Sequence, residues 1–208
     1  PQTEKCMENA DKRPDILVGI AEWLSEDFEF EVVEELRSAG AAASVLRIPT
    51  GPYAGIELYL PTAVGLFIAA GFFNGFLSKA GEDAYRAVKK GTTRLFHKAH
   101  PLEIKFTGSP GKVRETPYSA GFAVGCELLP TLRVKLLIRK DVSPETTEAG
   151  IEIFLDLMRD IHAERVSEED LRRLFPYKPV GGTVLVVYDA ETQTILPVDG
   201  MADTPLAR

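Results

Sequence analysis

The chain has 208 residues, 45 % of them hydrophobic and 26 % charged, with a formal net charge of −7. Such a length can bury a sizeable core, and the ordinary composition excludes a disordered, collagen-like or disulfide-dense chain. The acidic balance argues against nucleic-acid binding over the whole surface, since phosphate recognition needs concentrated positive potential.

In chain order, residues 1–14 are polar and charged and read as an N-terminal extension without the apolar run of a secretory signal. Residues 16–20 form a short apolar run expected to be a buried strand. Ser25 is placed to cap a helix in which Phe28, Val32, Leu36 and Ala39 share one stripe, and Gly40 is placed to end it. A second strand is expected over residues 44–48, a loop over 49–55 and a half-buried strand over 56–60.

Residues 63–77 are the most apolar stretch of the chain and contain Gly71 and Gly75 in a GxxxG pattern. Their length predicts a buried helix packed closely through its small residues. The run falls short of the roughly 20 apolar residues a membrane span requires. An amphipathic helix follows over residues 82–98, with Ala84, Val88, Thr92 and Phe96 on one face and Gly81 near its start.

The second half is richer in strands. Leu102, Ile104 and Phe106 alternate with polar residues, and Gly108, Ser109, Pro110 and Gly111 have turn chemistry. Strands are expected over 120–129 and 132–140, joined as an antiparallel hairpin. Ser143 and Pro144 open a helix running to His162, with Ile151, Phe154, Leu155, Met158 and Ile161 as its core stripe. Ser167 with Asp170 opens a shorter helix, residues 183–188 and 194–198 make a closing hairpin, and residues 200–208 read as a frayed tail. The expected fold is α+β: one domain over residues 15–199, a largely antiparallel sheet with helices packed against it, and one strongly apolar central helix.

Motifs for chemistry are weak. Around Gly111 and Lys112, Phe106 stands where a phosphate loop needs its first glycine and Val113 where it needs Ser or Thr. His97 and His100 lie one helical turn apart, but Arg94 and Lys98 flank them and no zinc pattern accompanies them or His162. Cys6 and Cys126 form no Cys-x-x-Cys pair, and Cys126 sits in an apolar strand where a thiol is unreactive. Paired carboxylates such as Glu34 with Glu35 lie where helices carry solvated charge. No catalytic, metal or cofactor site is assigned.

Charge is unevenly distributed. Residues 1–39 hold eleven acids and four bases, whereas residues 79–100 hold six bases and two acids. Arg86, Lys89, Lys90 and Arg94 therefore define the candidate partner-binding patch. The alternative is that this patch pairs with the acidic helix of residues 25–39 or is simply solvated. The functional expectation is a non-catalytic, cytoplasmic interaction or regulatory module whose partner is a protein or a second copy, not nucleic acid. Two alternatives stand beside it: a membrane-acting effector using residues 63–77 and the basic helix on anionic lipid, and an enzyme whose site is dispersed along the chain.

Overall fold

The structure is a computed structural model; it describes residues 14–49, 62–73, 79–102, 104 and 116–200. Expectations for Cys6, for residues 56–60, for most of 102–106, for the turn at Gly108 to Gly111 and for the tail lie outside the described residues.

The elements run β1 (Ile16–Ala21), α1 (Asp27–Ser38), β2 (Ala43–Ile48), β3 (Val64–Ile68), the single turn α2 (Ala70–Phe73) and α3 (Lys79–Ala99). They continue as β4 (Tyr118–Leu129), β5 (Leu132–Arg139), α4 (Pro144–His162), α5 (Glu168–Leu174), β6 (Thr183–Asp189) and β7 (Thr194–Val198). The seven strands among the described residues join one sheet in the order β2-β1-β3-β4-β5-β6-β7.

Two expectations are corrected here. The apolar run at residues 63–77 supplies a strand, β3, and not a long central helix. Within it Val64, Leu66 and Ile68 are buried on the helix side, while Gly65 and Phe67 turn to the other face. Because these outward positions are apolar as well, the run shows no polar alternation, and periodicity cannot separate it from a buried helix. Gly65 would have cost a helix about 1 kcal/mol relative to Ala, a signal against helix there, whereas Gly71 lies in the helical turn α2. The sheet is also mixed. β1/β2, β3/β4 and β5/β6 pair in parallel, and β1/β3, β4/β5 and β6/β7 antiparallel. Each parallel pair is separated in sequence by helical chain, as a crossover requires, while both hairpins expected from short connections are present.

Local signals explain most boundaries. Gly40 ends α1 with φ +90, its N–H bonded to Arg37 O at 2.9 Å. Ser143 accepts a hydrogen bond from Thr146 N and Ser167 one from Asp170 N, each at the start of a helix. Ser25 is not a cap: α1 starts behind Glu26, whose side chain makes no capping bond. Helix α3 runs through Gly81 without a break.

The helix side of the sheet carries the core. Val32 and Leu36 of α1, Val88, Leu95 and Phe96 of α3, and Ile151, Phe154, Leu155 and Met158 of α4 pack onto it in one cluster. The other face carries a smaller cluster of Tyr118, Leu137, Leu185 and Val198. Gly150 allows α4 its closest approach to the sheet, because a Cβ there would lie 2.7 Å from the Tyr188 side chain.

Leu66 stands at the middle of an interior strand and is 1 % exposed. Leu66→Ala is expected to destabilise the fold by roughly 2–5 kcal/mol. Urea unfolding should show a lower midpoint with an unchanged slope.

Candidate functional site

Helix α3 presents its basic residues to acids on both neighbouring helices. Lys90 Nζ and Arg94 Nη1 both reach the Glu35 carboxylate of α1 at 2.6 Å. Lys98 Nζ donates to Phe28 O at 3.0 Å and lies 3.9 Å from Glu31. Toward α4, Lys89 Nζ donates to Asp156 at 2.9 Å, with Glu152 at 3.9 Å. Arg86 donates to Asp83 on its own helix at 2.9 Å. Each member of the sequence-defined patch thus has an intramolecular acidic partner. The pairing alternative is the arrangement found for Lys90, Arg94 and Lys98.

Between α3 and α4 these contacts form a polar cluster. Tyr85 OH donates to Asp156 Oδ1 at 2.7 Å, and Arg159 Nη1 lies 3.2 Å from the same oxygen. The Arg159 guanidinium lies 5.2 Å and the Lys89 ammonium 5.6 Å from the Tyr85 ring centre, within cation–π range. Burial and the hydrogen bond to Asp156 push the Tyr85 phenol far above its ordinary value. Burial works to raise the Asp156 carboxyl, but the bonds from Tyr85 and Lys89 and the nearby cations outweigh it and hold the group below its usual range. A phenol that keeps its proton and a carboxylate that keeps its charge suit a clamp between helices, not proton transfer near neutrality.

The histidines are dispersed. His97 pairs with Glu148 at 2.5 Å, and His100 lies against Phe96. His162 stacks on Phe73 with ring centres 4.6 Å apart, its Nε2 lying 2.9 Å from Glu127 O. Burial lowers the His162 pKa, so near neutral pH its ring is uncharged and Nε2–H donates to that carbonyl. Among the described residues no three His, Cys, Asp or Glu side chains form a group able to hold a metal ion. Cys126 is fully buried, and burial pushes its thiol well above the ordinary range.

A different region stands out for exposure. Trp23 (54 % exposed), Phe30 (64 %), Val45 (37 %) and Leu46 (51 %) lie around β2, the sheet's edge strand. Glu22 N donates to Ile48 O at 3.0 Å and Arg47 Nη1 to Leu24 O at 3.0 Å, which holds the Trp23 turn beside the end of β2. Arg37 Nε donates to Ala43 O at 3.1 Å, at the start of the strand. Phe30 precedes Arg37 by two helical turns and shares its side of α1, so it overhangs the same margin. Arg47 pairs with Glu29, which is 6 % exposed and whose Oε2 meets no hydrogen-bond donor among the described residues. The sequence pattern offered two clues: Phe30 falls off the buried stripe of α1, and Trp23, the chain's single tryptophan, sits in a polar turn.

Comparison with known protein families, curated proteins and solved structures returned no match.

Asp156 titrates below its unfolded value, so its contribution is complete above the unfolded carboxylate range and is lost as pH falls through the folded value. Asp156→Asn is therefore expected to lower stability by about 1 kcal/mol at neutral pH, a modest figure because the side chain is partly solvated. In urea unfolding the gap from the unaltered protein should shrink steadily below about pH 4.

Proposed function

We propose that this chain is a protein-interaction module that engages its partner along the β2 margin of the sheet. One observation carries the reading. Of the six exposed large apolar side chains among the described residues, four (Trp23, Phe30, Val45 and Leu46) surround one edge strand. Leu129 and Leu196 are the other two, in the β4–β5 hairpin and on β7. Single exposed apolar residues are ordinary, whereas these four flank an edge strand on both faces, Val45 on the helix side and Leu46 on the other, beside backbone groups that have no strand partner among the described residues.

The basic face of α3 supports the reading less well. An acidic partner docking on Lys90 or Arg94 would compete with Glu35, and one docking on Lys89 with Asp156. The membrane alternative fares worse, because β3 lies between β1 and β4 and its release would divide the sheet. No helix among the described residues is long and apolar enough to cross a membrane.

Photo-crosslinking tests the margin directly. Benzoylphenylalanine placed at position 23 or 30 should give a discrete protein adduct in lysate of the source organism, and the same probe at position 90 on α3 should give none. Adducts from position 90 alone would overturn the reading.

A further inference from the structure

The two edges of the sheet are built differently. β7 carries Pro197, which has no N–H to offer a neighbouring strand, and α5 packs beside it. Prolines and covering elements are common devices for keeping a sheet edge from pairing. β2, with the sequence ASVLRI, carries no proline, and its one charge, Arg47, is paired within the chain by Glu29.

The orientation of the β2 backbone follows from its bonds to β1. Ile16 N donates to Ala42 O and Glu22 N to Ile48 O, so the even-numbered peptide groups of this strand face β1. A strand turns successive peptide groups to opposite sides. The N–H and C=O groups of Ala43, Val45 and Arg47 therefore point away from the sheet. Among the described residues, only Ala43 O of these finds a partner, the Arg37 guanidinium, and a carbonyl oxygen accepts a second bond.

We propose that a second copy of this chain covers this edge, the two β2 strands pairing antiparallel about a two-fold axis through Val45. The inference rests on reading the β2 margin as the contact surface. In this register Val45 exchanges both backbone bonds with Val45 of the second copy. On either side, Ala43 does the same with Arg47 of the second copy. Every outward group is used. An axis through Leu46 instead sets Pro49, which has no N–H, opposite Ala43.

Charge and shape are self-complementary about the chosen axis. Arg37 reaches Ala43 while Glu29 reaches Arg47, so α1 runs opposite to β2. Pairing Ala43 with Arg47 of the second copy brings Arg37 level with Phe30 of the second copy, and the reverse. A guanidinium then faces an exposed aromatic ring twice, in a cation–π arrangement. Arg47 enters already neutralised, and Glu34, bonded to Arg37 at 2.9 Å, balances the rim. Such a contact is isologous, the commonest form of closed dimer.

Light scattering after size exclusion should give the mass of two chains. Val45→Pro removes an N–H that points away from β1, so the fold survives, and self-association should weaken about 100-fold or more. Phe30→Asp, at an exposed helix position, should weaken it as well. Disulfide trapping reads the register. In a Cys6→Ser background, Val45→Cys should oxidise to a linked dimer, since the paired Cα atoms would stand about 5.5 Å apart. Leu46→Cys, opposite Ser44 of the second copy, should not. A monomeric mass, a dimer indifferent to Val45→Pro, or trapping by Leu46→Cys in place of Val45→Cys would each overturn the proposal. A monomer that still yields photo-adducts from position 30 rejects the two-fold pairing alone. Adducts only from position 90 reject the margin itself.

Discussion

Helix α3 lies between two acidic helices, and the arrangement of the helical layer follows from how its charges are matched. Its buried residues Val88, Leu95 and Phe96 press onto the sheet, while Lys90, Arg94 and Lys98 reach α1 and Lys89 reaches α4. Exposed ion pairs contribute little individually. The Tyr85 and Asp156 cluster contributes more, because its phenol is buried and its carboxylate has three donors. These contacts also specify which helix neighbours which, since exchanging α1 and α4 would separate each base from its acid.

With the helices gathered on one side, the sheet beneath them has unlike margins and unlike faces. The interior strands β1, β3 and β4 present Ile16, Val18, Leu66 and Val124 to the helices, fully or almost fully buried. Across the opposite face one row runs from Leu17 through Phe67, Gly125 and Lys135 to Leu185 and Val198. Phe67 lies over Gly125, where a Cβ would approach its ring to 3.4 Å, and Arg133 sits 5.6 Å from the ring centre. Leu185 and Val198 of this row are buried, and burial lowers the Lys135 pKa to about 8. The two edge strands differ by residue choice at a few positions, Pro197 of β7 above all, while β2 carries no proline.

Local chemistry made many of the elements legible. The stripes of α1, α3 and α4, the Ser143 and Ser167 caps, the Gly40 stop and both hairpins depend on contacts within a few residues, and they appear as the pattern implies. The run at residues 63–77 misled because the positions on the face away from the helices, Gly65 and Phe67, are apolar too, so the sequence lacks the polar alternation that marks a half-buried strand. The expectation of a largely antiparallel sheet failed because short hairpins show in the sequence and crossover pairings do not: β1/β2, β3/β4 and β5/β6 pair in parallel across helical chain, and two of these pairs join strands the pattern had placed. Of the candidate site, the charges on α3 were visible, but their saturation by Glu35 and Asp156 was not, since those acids lie far away along the chain.

By itself, the sequence determined the helical stripes, the turns, the caps and the unequal distribution of charge, because each is set by side chains a few residues apart. Only the tertiary structure decided that α3 spends its charges on α1 and α4, that β2 and β7 are the edge strands among the described residues, and that Trp23, Phe30, Val45 and Leu46 lie exposed around β2. The physical reason is the same in each case. Strand order is settled by burial summed over the whole chain, and helix neighbours by that burial together with matched charges, and no local pattern encodes which distant residues these bring together.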